Sequence, residues 1–463
     1  MNAPMSSLKS SRGTTGGGAR TIRWGAFALA LAGAAGGAGC KSPPVTDPQM
    51  SGAPSVTTSA AGPGTVGTAA APAPSASAAG SVAAPTPAPA ALPGHDFGDE
   101  ARILYRVAAC AGDAPIPEYL DQKTVEEHCT ALSGKVKTFR ESYMKKAMSF
   151  FATHIPKDLP KPVVYPFAGG DLVSALMAYP DAPEVTTISL ELAGDPRRIK
   201  TLGQKALSAS LSQLRTELNE LLAVGNFSQS ETLKHTQRGD IPGELGFFLV
   251  GLAIHDLEPV HMRYFRVEPD GALRYLDTED IAAEERKAGE RRKDTWFPPD
   301  FSEAFANVEI TFRARGADAG APERVHRHMA MNLGDDGLAK SPGFLKHLEQ
   351  KGKVSAVTKA ASYLMWSVGF KTIRDYLLGN MTFMVSDSTG IPPTYAKPAG
   401  FEHETYGSFI GTRIPADQSQ TKVMRDLWRK QPKRDLAFRF GYLDSASKPH
   451  LLITSKVGFV GTP

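Results

Sequence analysis

The sequence predicts an α/β fold: a mostly parallel central sheet with βαβ units, an N-terminal helical segment and antiparallel additions. The first observation is that residues 163–191 run strand, glycine turn, helix and strand. The second is that residues 353–387 repeat strand, helix and strand, and that both units end on a carboxylate. Strands alternating with helices are typical of parallel sheets with right-handed crossovers.

The first unit is built from short local signals. Residues 163–167 are apolar and β-rich, and Gly169 and Gly170 allow a tight turn. Asp171 stands where a helix N-cap belongs, because its carboxylate can accept the free N–H groups of the first turn. Pro180 stops this helix, and the second β-rich run leads to Glu191.

Other segments extend this core. Residues 135–151 have apolar side chains at helical spacing, and residues 245–254 form an apolar run that predicts a buried element. Residues 261–276 predict a β-hairpin around a Pro-Asp-Gly turn. Residues 305–314 predict a strand, and residues 436–456 predict two strands around residues 444–448.

The first 39 of the 463 residues predict a signal peptide, because a basic stretch precedes an uncharged apolar run. Small residues before Cys40 resemble the lipobox of bacterial lipoproteins, although Gly37 stands where leucine is usual. The resemblance implies lipid attachment at Cys40 and removal of residues 1–39. The alternative is an ordinary secretory signal with an incidental cysteine. Lys41 favours, by analogy, the outer membrane, facing the periplasm or the surface.

Residues 40–95 predict a disordered linker, because Ala, Pro, Ser, Thr and Gly leave almost nothing apolar to bury. Residues 96–160 predict a helical segment, and residues 161–463 the α/β domain. The net charge of +4 is small for this length, so no nucleic acid is expected as a partner. The expected partners are a membrane, through the lipid anchor, and an envelope protein or polymer.

Cys110 and Cys129 remain as an even pair once Cys40 is lipidated. Export favours a disulfide between them. Closing a loop of this length contributes about 3 kcal/mol in the chain-entropy model. The alternative, a nucleophilic or metal-binding cysteine, rests only on His128 beside Cys129.

Ligand and catalytic sites of open α/β sheets lie at the carboxyl ends of strands. This rule selects Tyr165, Gly169 and Gly170 as candidates for ligand binding. It selects Asp171, Glu191 and Asp387 as candidates for catalysis. Acid pairs such as Asp171 with Glu191, or Asp387 with Glu402, would suit a glycosidase-like reaction.

The order of strand, glycine turn, helix, strand and acid is similar to the nucleotide-binding half of Rossmann-like proteins, including class I methyltransferases. The resemblance implies that a ligand approaches the glycine turn and that the acid binds ribose hydroxyls. The full G-x-G-x-x-G pattern is missing, and export argues against a nucleotide, so no cofactor is expected. The Y-P-F-x-G-x-D stretch from Tyr165 also resembles a group of uncharacterised exported bacterial proteins, which implies no activity.

Other chemical signatures are weak. His326 and His328 would project to one face of a strand, but a metal needs three or four converging ligands, so no metal site is predicted. His403-Glu404 begins like a zinc-protease motif, but Gly407 replaces the second histidine. Neither G-x-S-x-G nor a P-loop motif occurs.

A basic stretch at residues 422–434 surrounds Trp428. It predicts either a patch for an anionic envelope polymer or a solvated helix face. Two functional hypotheses follow from the sequence. The first is a lipid-anchored envelope protein whose α/β domain binds or scaffolds a partner. The alternative is an exported hydrolase that uses carboxylates at the strand ends.

Overall fold

The computed structural model describes residues 92–224, 241–288, 302–411, 418–441 and 448–459. Contacts divide the chain into residues 1–88 and 89–463, and every described residue belongs to the second unit. The predicted signal peptide, Cys40 and nearly all of the predicted linker lie outside the described residues. Within the described ranges, no helix has the length and apolar character needed to cross a bilayer.

Ten strands in the described part of the chain form one sheet, in the order β4-β3-β5-β6-β2-β1-β7-β8-β10-β9. Their bounds are β1 Pro162–Pro166, β2 Glu184–Ser189, β3 Leu257–Val267, β4 Leu273–Tyr275, β5 Val308–Ala314, β6 Arg324–Ala330, β7 Val354–Thr358, β8 Met381–Ser386, β9 Phe401–Gly407 and β10 His450–Lys456.

The sheet is mixed, which corrects the prediction of a mostly parallel one. Strands β6, β2, β1, β7 and β8 are parallel neighbours at the centre. The other five of the nine pairings between the described strands are antiparallel. The prediction failed because local patterns indicate strands but not their neighbours or directions: β5 and β10, both within predicted strand segments, add antiparallel to β6 and β8.

The described helices are α1 Gly98–Val107, α2 Gln122–Phe139, α3 Lys145–His154, α4 Leu172–Ala178, α5 Gln204–Asn219, α6 Gly243–Ile254, α7 Thr278–Ala288, α8 Asp335–Ala339, α9 Pro342–Gln350, α10 Lys371–Asn380, α11 Pro393–Ala396 and α12 Gln418–Lys430. A π-helical turn, Arg140–Met144, joins α2 to α3, and a second, Glu220–Val224, follows α5. The amphipathic helix predicted at residues 135–151 therefore begins earlier and is interrupted once.

The two faces of the sheet carry different helices. Val163 and Tyr165 of β1 join a core that includes α1 to α6, whereas Val164 faces a second core that includes α8 to α10. Alternation along a strand requires this arrangement. The sheet is therefore the middle layer of three, as in α/β folds generally.

Both predicted βαβ units are confirmed. Strand β1, helix α4 and strand β2 form the first, with β1 and β2 parallel and adjacent. Strand β7, helix α10 and strand β8 form the second. The predicted hairpin is β3 and β4, and residues 245–254 belong to the fully buried helix α6.

The prediction of two strands in residues 436–456 is wrong in part. Among the described residues of this range, β10 is the one strand, while residues 436–441 run without regular structure and are called the strap below. The reason is that Leu436, Phe438 and Phe440 alternate as in a strand but pack into the first core. Residues 442–447 lie outside the described ranges.

Candidate functional site

The connections at the carboxyl end of the sheet diverge beside β1. Helix α4 follows β1 on one face, and the helix that follows its neighbour β7 lies on the opposite face. Such a switch point is where open α/β sheets usually bind ligands. The loops that begin at Phe167 and Lys359 flank this position.

Asp171 caps α4 as predicted, and its carboxylate does more than cap. Oδ1 accepts a hydrogen bond from the Ser174 backbone N–H at 3.0 Å. Oδ2 lies 2.8 Å from the Lys359 ammonium and accepts the Tyr165 hydroxyl at 3.1 Å. Asp171 and Lys359 are each 1% exposed, so the ion pair is fully buried.

Lys359 connects the two βαβ units. Its Nζ also donates to Ser174 Oγ at 2.5 Å, across 185 residues of sequence. Burial raises the pKa of Tyr165 well above its usual value, and the nearby Asp171 and Asp387 carboxylates add to the rise. Tyr165 is therefore a neutral hydrogen-bond donor at neutral pH.

The glycine turn forms as predicted, but its space is filled. Gly169 has φ +53°, and Phe167 at its start also has a left-handed φ of +59°. A Cβ on Gly170 would stand 2.7 Å from the Cβ of Phe247 on α6. The missing side chain at Gly170 thus admits a helix, and the close approach is made by protein.

Asp387 is saturated with donors. Its carboxylate accepts the backbone N–H groups of Ala360 and Thr389 at 2.9 and 2.8 Å. It also accepts the hydroxyls of Ser362 and Thr389 at 2.7 and 2.6 Å. The side chain is fully buried, so Asp387 ties the end of β8 to the loop after β7.

The strap closes this group, which we call the central cluster, consisting of Tyr165, Asp171, Ser174, Lys359 and Asp387. The Phe440 ring centre lies 5.0 Å from Lys359 Nζ. Gly441 has φ +95°, and a Cβ there would come within 2.4 Å of the Asp387 Cβ. The strap therefore covers the Lys359 ammonium and the Asp387 side chain.

The other side of the strap borders a cavity of about 720 Å³, called the strap cavity. Its walls come from α2, the following π-helical turn and the strap itself, including Lys135, Tyr143 and Arg439. The Tyr143 hydroxyl makes no hydrogen bond with a described residue. Burial raises the pKa of Tyr143, the Asp171 charge adds to the rise, and Arg439 opposes it. Tyr143 thus separates the cavity from the central cluster.

Glu191 interacts with a different group from Asp171, the acid with which it was predicted to pair. Its carboxylate and that of Glu244 on α6 are buried and make no hydrogen bond with a described residue. Burial raises the pKa of Glu244 well above its usual value, and the charge of Glu191 adds to the rise. The second proposed pair also fails, because Asp387 is fully buried whereas Glu402 is exposed on β9.

His326 and His328 do project from β6 to one face, under Phe248. His328 Nε2 donates to the Glu191 carbonyl at 2.7 Å, so its Nδ1 accepts the Thr187 hydroxyl at 3.2 Å. His326 Nε2 must then donate to that hydroxyl, at 2.9 Å. Burial lowers the pKa of His328 to about 4 and that of His326 well below its ordinary value. Both rings are therefore neutral at pH 7. The described residues include no group of three or more side chains suited to a metal ion.

Cys110 and Cys129 form the predicted disulfide, with an S–S distance of 2.11 Å. His128 has a different role from the metal ligand considered above. Its Nε2 donates to the Ala108 carbonyl at 3.0 Å, and its Nδ1 accepts from Arg215 at 2.9 Å. Burial lowers its pKa to about 4, so it is a neutral core residue.

The basic stretch at residues 422–434 includes most of α12, and its cations are mainly exposed. Met424 is buried and Trp428 is half-buried against Phe409. This arrangement is that of a solvated helix with an apolar inner face. It leaves the outer face free for an anionic surface.

Sequence reasoning missed Lys359, Glu244 and Arg439. Lys359 follows strand β7 directly, so the rule that selected Asp171 and Asp387 could have found it. Glu244 stands at the start of an apolar run, where an acid is conspicuous. Arg439 has no local signal, because only the fold brings it to the cavity.

Comparison with protein-family models, curated proteins and solved structures found no match to this chain. The central cluster and the strap cavity beside it are the two principal features of the candidate site.

Proposed function

We propose that this chain is a lipid-anchored protein of the cell envelope whose α/β domain binds or scaffolds a partner. In this proposal Cys40 carries the lipid and residues 41–94 hold the domain away from the membrane. The outer membrane, facing the periplasm or the surface, is the proposed location. The basic region before an apolar run and the small residues before Cys40 support the anchor.

The observation that carries the binding role is the state of the two carboxylates that follow β1 and β8. Asp171 is paired with Lys359, and Asp387 accepts four hydrogen bonds. Both are buried, and the strap covers Lys359 and Asp387. Carboxylates whose oxygens are occupied by fixed donors hold neighbouring loops together. They do not suit a general acid or base, which must come within hydrogen-bond reach of its substrate. Concave space is found beside these groups, in the strap cavity.

The alternative of an exported hydrolase receives less support. It requires two carboxylates that face one substrate, with the pKa of one of them matched to proton transfer. Asp171 and Asp387 act on the pKa of Tyr165, whereas Glu191 acts on that of Glu244. The candidate acids thus belong to two separate buried clusters.

The proposal is tested first with Cys40→Ser in cells, with Ser42→Ala as the control. Membrane fractionation should find the wild type and Ser42→Ala in the membrane and Cys40→Ser in the soluble fraction. Equal membrane association of all three would contradict a lipid anchor at Cys40.

The released Cys40→Ser chain then tests the binding role. Envelopes from cells that lack the protein are mixed with increasing amounts of this chain, and the bound fraction is measured. A partner-binding domain should saturate, whereas uptake that stays linear in added protein would contradict binding to a specific partner.

A further inference from the structure

The strap cavity is lined by cations without acids. Its described lining residues include Lys135 from α2 and Arg439 from the strap, and no carboxylate. The remaining lining residues are apolar or carry hydroxyl groups. Two positive charges on different walls, facing a space of about 720 Å³, favour an anion between them.

The two cations keep donors available. Lys135 Nζ donates to Asn219 Oδ1 at 3.0 Å, which uses one of the three ammonium hydrogens. Arg439 is half-buried and forms no ion pair with a described carboxylate. Its planar guanidinium suits two oxygens of one phosphate or carboxylate.

Two of the three lining hydroxyl groups do not compete for this role. Ser142 and Thr138 each donate to a helix carbonyl one turn earlier, at 2.6 and 3.0 Å. The third, the Tyr143 hydroxyl, makes no hydrogen bond with a described residue, but it is neutral and buried, so the positive charge that attracts an anion comes from Lys135 and Arg439. A group with three terminal oxygens can accept from both cations at once, and a phosphate provides them.

The position of the cavity agrees with this reading. The charge of Asp171, which caps α4 after the central strand β1, contributes to the raised pKa of Tyr143 in the cavity wall. The carboxyl ends of β1 and β7 form the switch point of the sheet, where ligands usually bind. The strap thus has two functions: Phe440 and Gly441 seal the central cluster, while Arg439 faces the cavity.

We propose that the strap cavity binds a phosphate group, held between Lys135 and Arg439. The proposal deepens the binding role argued above and rests on it. The phosphate belongs either to a free small molecule or to a lipid headgroup at the membrane surface. These two sources share the same recognition chemistry and are separated by the test.

The test measures binding to the full chain, purified in detergent, by isothermal titration calorimetry. The two probes are inorganic phosphate and nanodiscs of phosphatidylglycerol, with phosphatidylcholine nanodiscs as the lipid blank. The variants are Arg439→Gln and Lys135→Gln, and the matched control is Lys145→Gln, an exposed lysine on α3 that does not line the cavity. Each cavity variant should weaken binding at least tenfold, and the control less than twofold.

Binding of phosphate alone identifies a free ligand, and preferential binding of phosphatidylglycerol identifies a headgroup. The proposal is overturned if the cavity variants bind both probes as the wild type does. It is also overturned if Lys145→Gln loses as much binding as the cavity variants. Failure of the wild type to bind either probe also overturns it. If the cavity variants bind both probes as the wild type does while Cys40→Ser still saturates on envelopes, the phosphate site is wrong and the binding role stands.

Discussion

At the residue scale, two buried carboxylates show opposite electrostatics. Asp171 lies 2.8 Å from the Lys359 ammonium and accepts two hydrogen bonds. Glu244 is equally buried, has no hydrogen-bond partner among the described residues and is near the charge of Glu191. A buried charge is tolerated when it is paired and is costly when it is alone. The same amide substitution should therefore have opposite effects at the two sites.

Asp171→Asn should lower the free energy of unfolding by about 3–5 kcal/mol, because it leaves the Lys359 ammonium buried without its counter-ion. A cap alone would cost only about 1 kcal/mol. Urea unfolding at pH 7 measures the difference. Asp99→Asn, in a mostly exposed ion pair with Arg102, is the control and should change stability little. A loss of about 1 kcal/mol at Asp171 would mean that the Lys359 pair contributes nothing.

Glu244→Gln should stabilise the domain at pH 7 and remove one cause of stability loss as the pH rises. The folded pKa of Glu244 is raised above its ordinary value of 4.5, so the folded state holds the proton more tightly. Its contribution is fully present below pH 4.5 and is lost as the pH rises through the folded pKa. Urea unfolding of the wild type and the variant from pH 4.5 to 8 gives the free energy of unfolding at each pH. The variant should become increasingly more stable than the wild type as the pH rises. A difference in stability that does not change with pH would contradict a raised pKa of Glu244 in the folded state.

At the element scale, the strap shows how an irregular segment can be fixed as firmly as a strand. Leu436, Phe438 and Phe440 pack into the core of the sheet. Gly441 then passes over Asp387 with no room for a side chain. The alternation of apolar side chains that suggested a strand therefore reflects burial in the core. At Gly441 the backbone turns, whereas a paired strand would continue in an extended conformation.

Gly441→Ala and Gly400→Ala form a matched pair, since both glycines have a left-handed φ, of +95° and +79°. Gly400→Ala should cost about 1–2 kcal/mol for that conformation alone, because its nearest neighbour is the flexible Lys456 tip at 3.8 Å. Gly441→Ala should cost clearly more, because its Cβ would meet Asp387 at 2.4 Å. Chemical denaturation compares the free energies of unfolding of the two variants. Equal losses would mean that the strap can move away from Asp387 without destabilising the domain.

At the scale of the whole molecule, many histidines are buried in neutral form. Burial lowers the pKa to about 4 in five of them: His128, His255, His328, His347 and His403. The ordinary value is 6.5, so the unfolded chain binds more protons between pH 6.5 and 4. Stability from these groups is present above pH 6.5 and is lost as the pH falls through this window.

The domain should therefore unfold at lower urea concentration at pH 5 than at pH 7, even though Glu244 acts in the opposite direction. Urea titrations at intervals of half a pH unit would follow the loss. Glu244→Gln should show a steeper loss toward acid than the wild type, because the opposing acid is gone. A midpoint independent of pH between 5 and 7 would contradict neutral burial of the histidines.

Local chemistry was sufficient for much of the fold. The glycine turn, the Asp171 cap, the two βαβ units, the hairpin and the pairing of Cys110 with Cys129 depend on residues close together along the chain. Their preferences therefore act before the rest of the molecule is arranged. The lipid anchor at Cys40 and the linker are local predictions of the same kind, and cell fractionation is their test.

Only the three-dimensional arrangement decided which of these groups meet. Lys359 reaches Ser174 across 185 residues, Arg439 enters the cavity from the strap, and Glu191 faces Glu244 instead of Asp171. The pairing of edge strands likewise made the sheet mixed. A side chain carries no local signal for a distant partner, because burial and charge pairing depend on how complete layers pack.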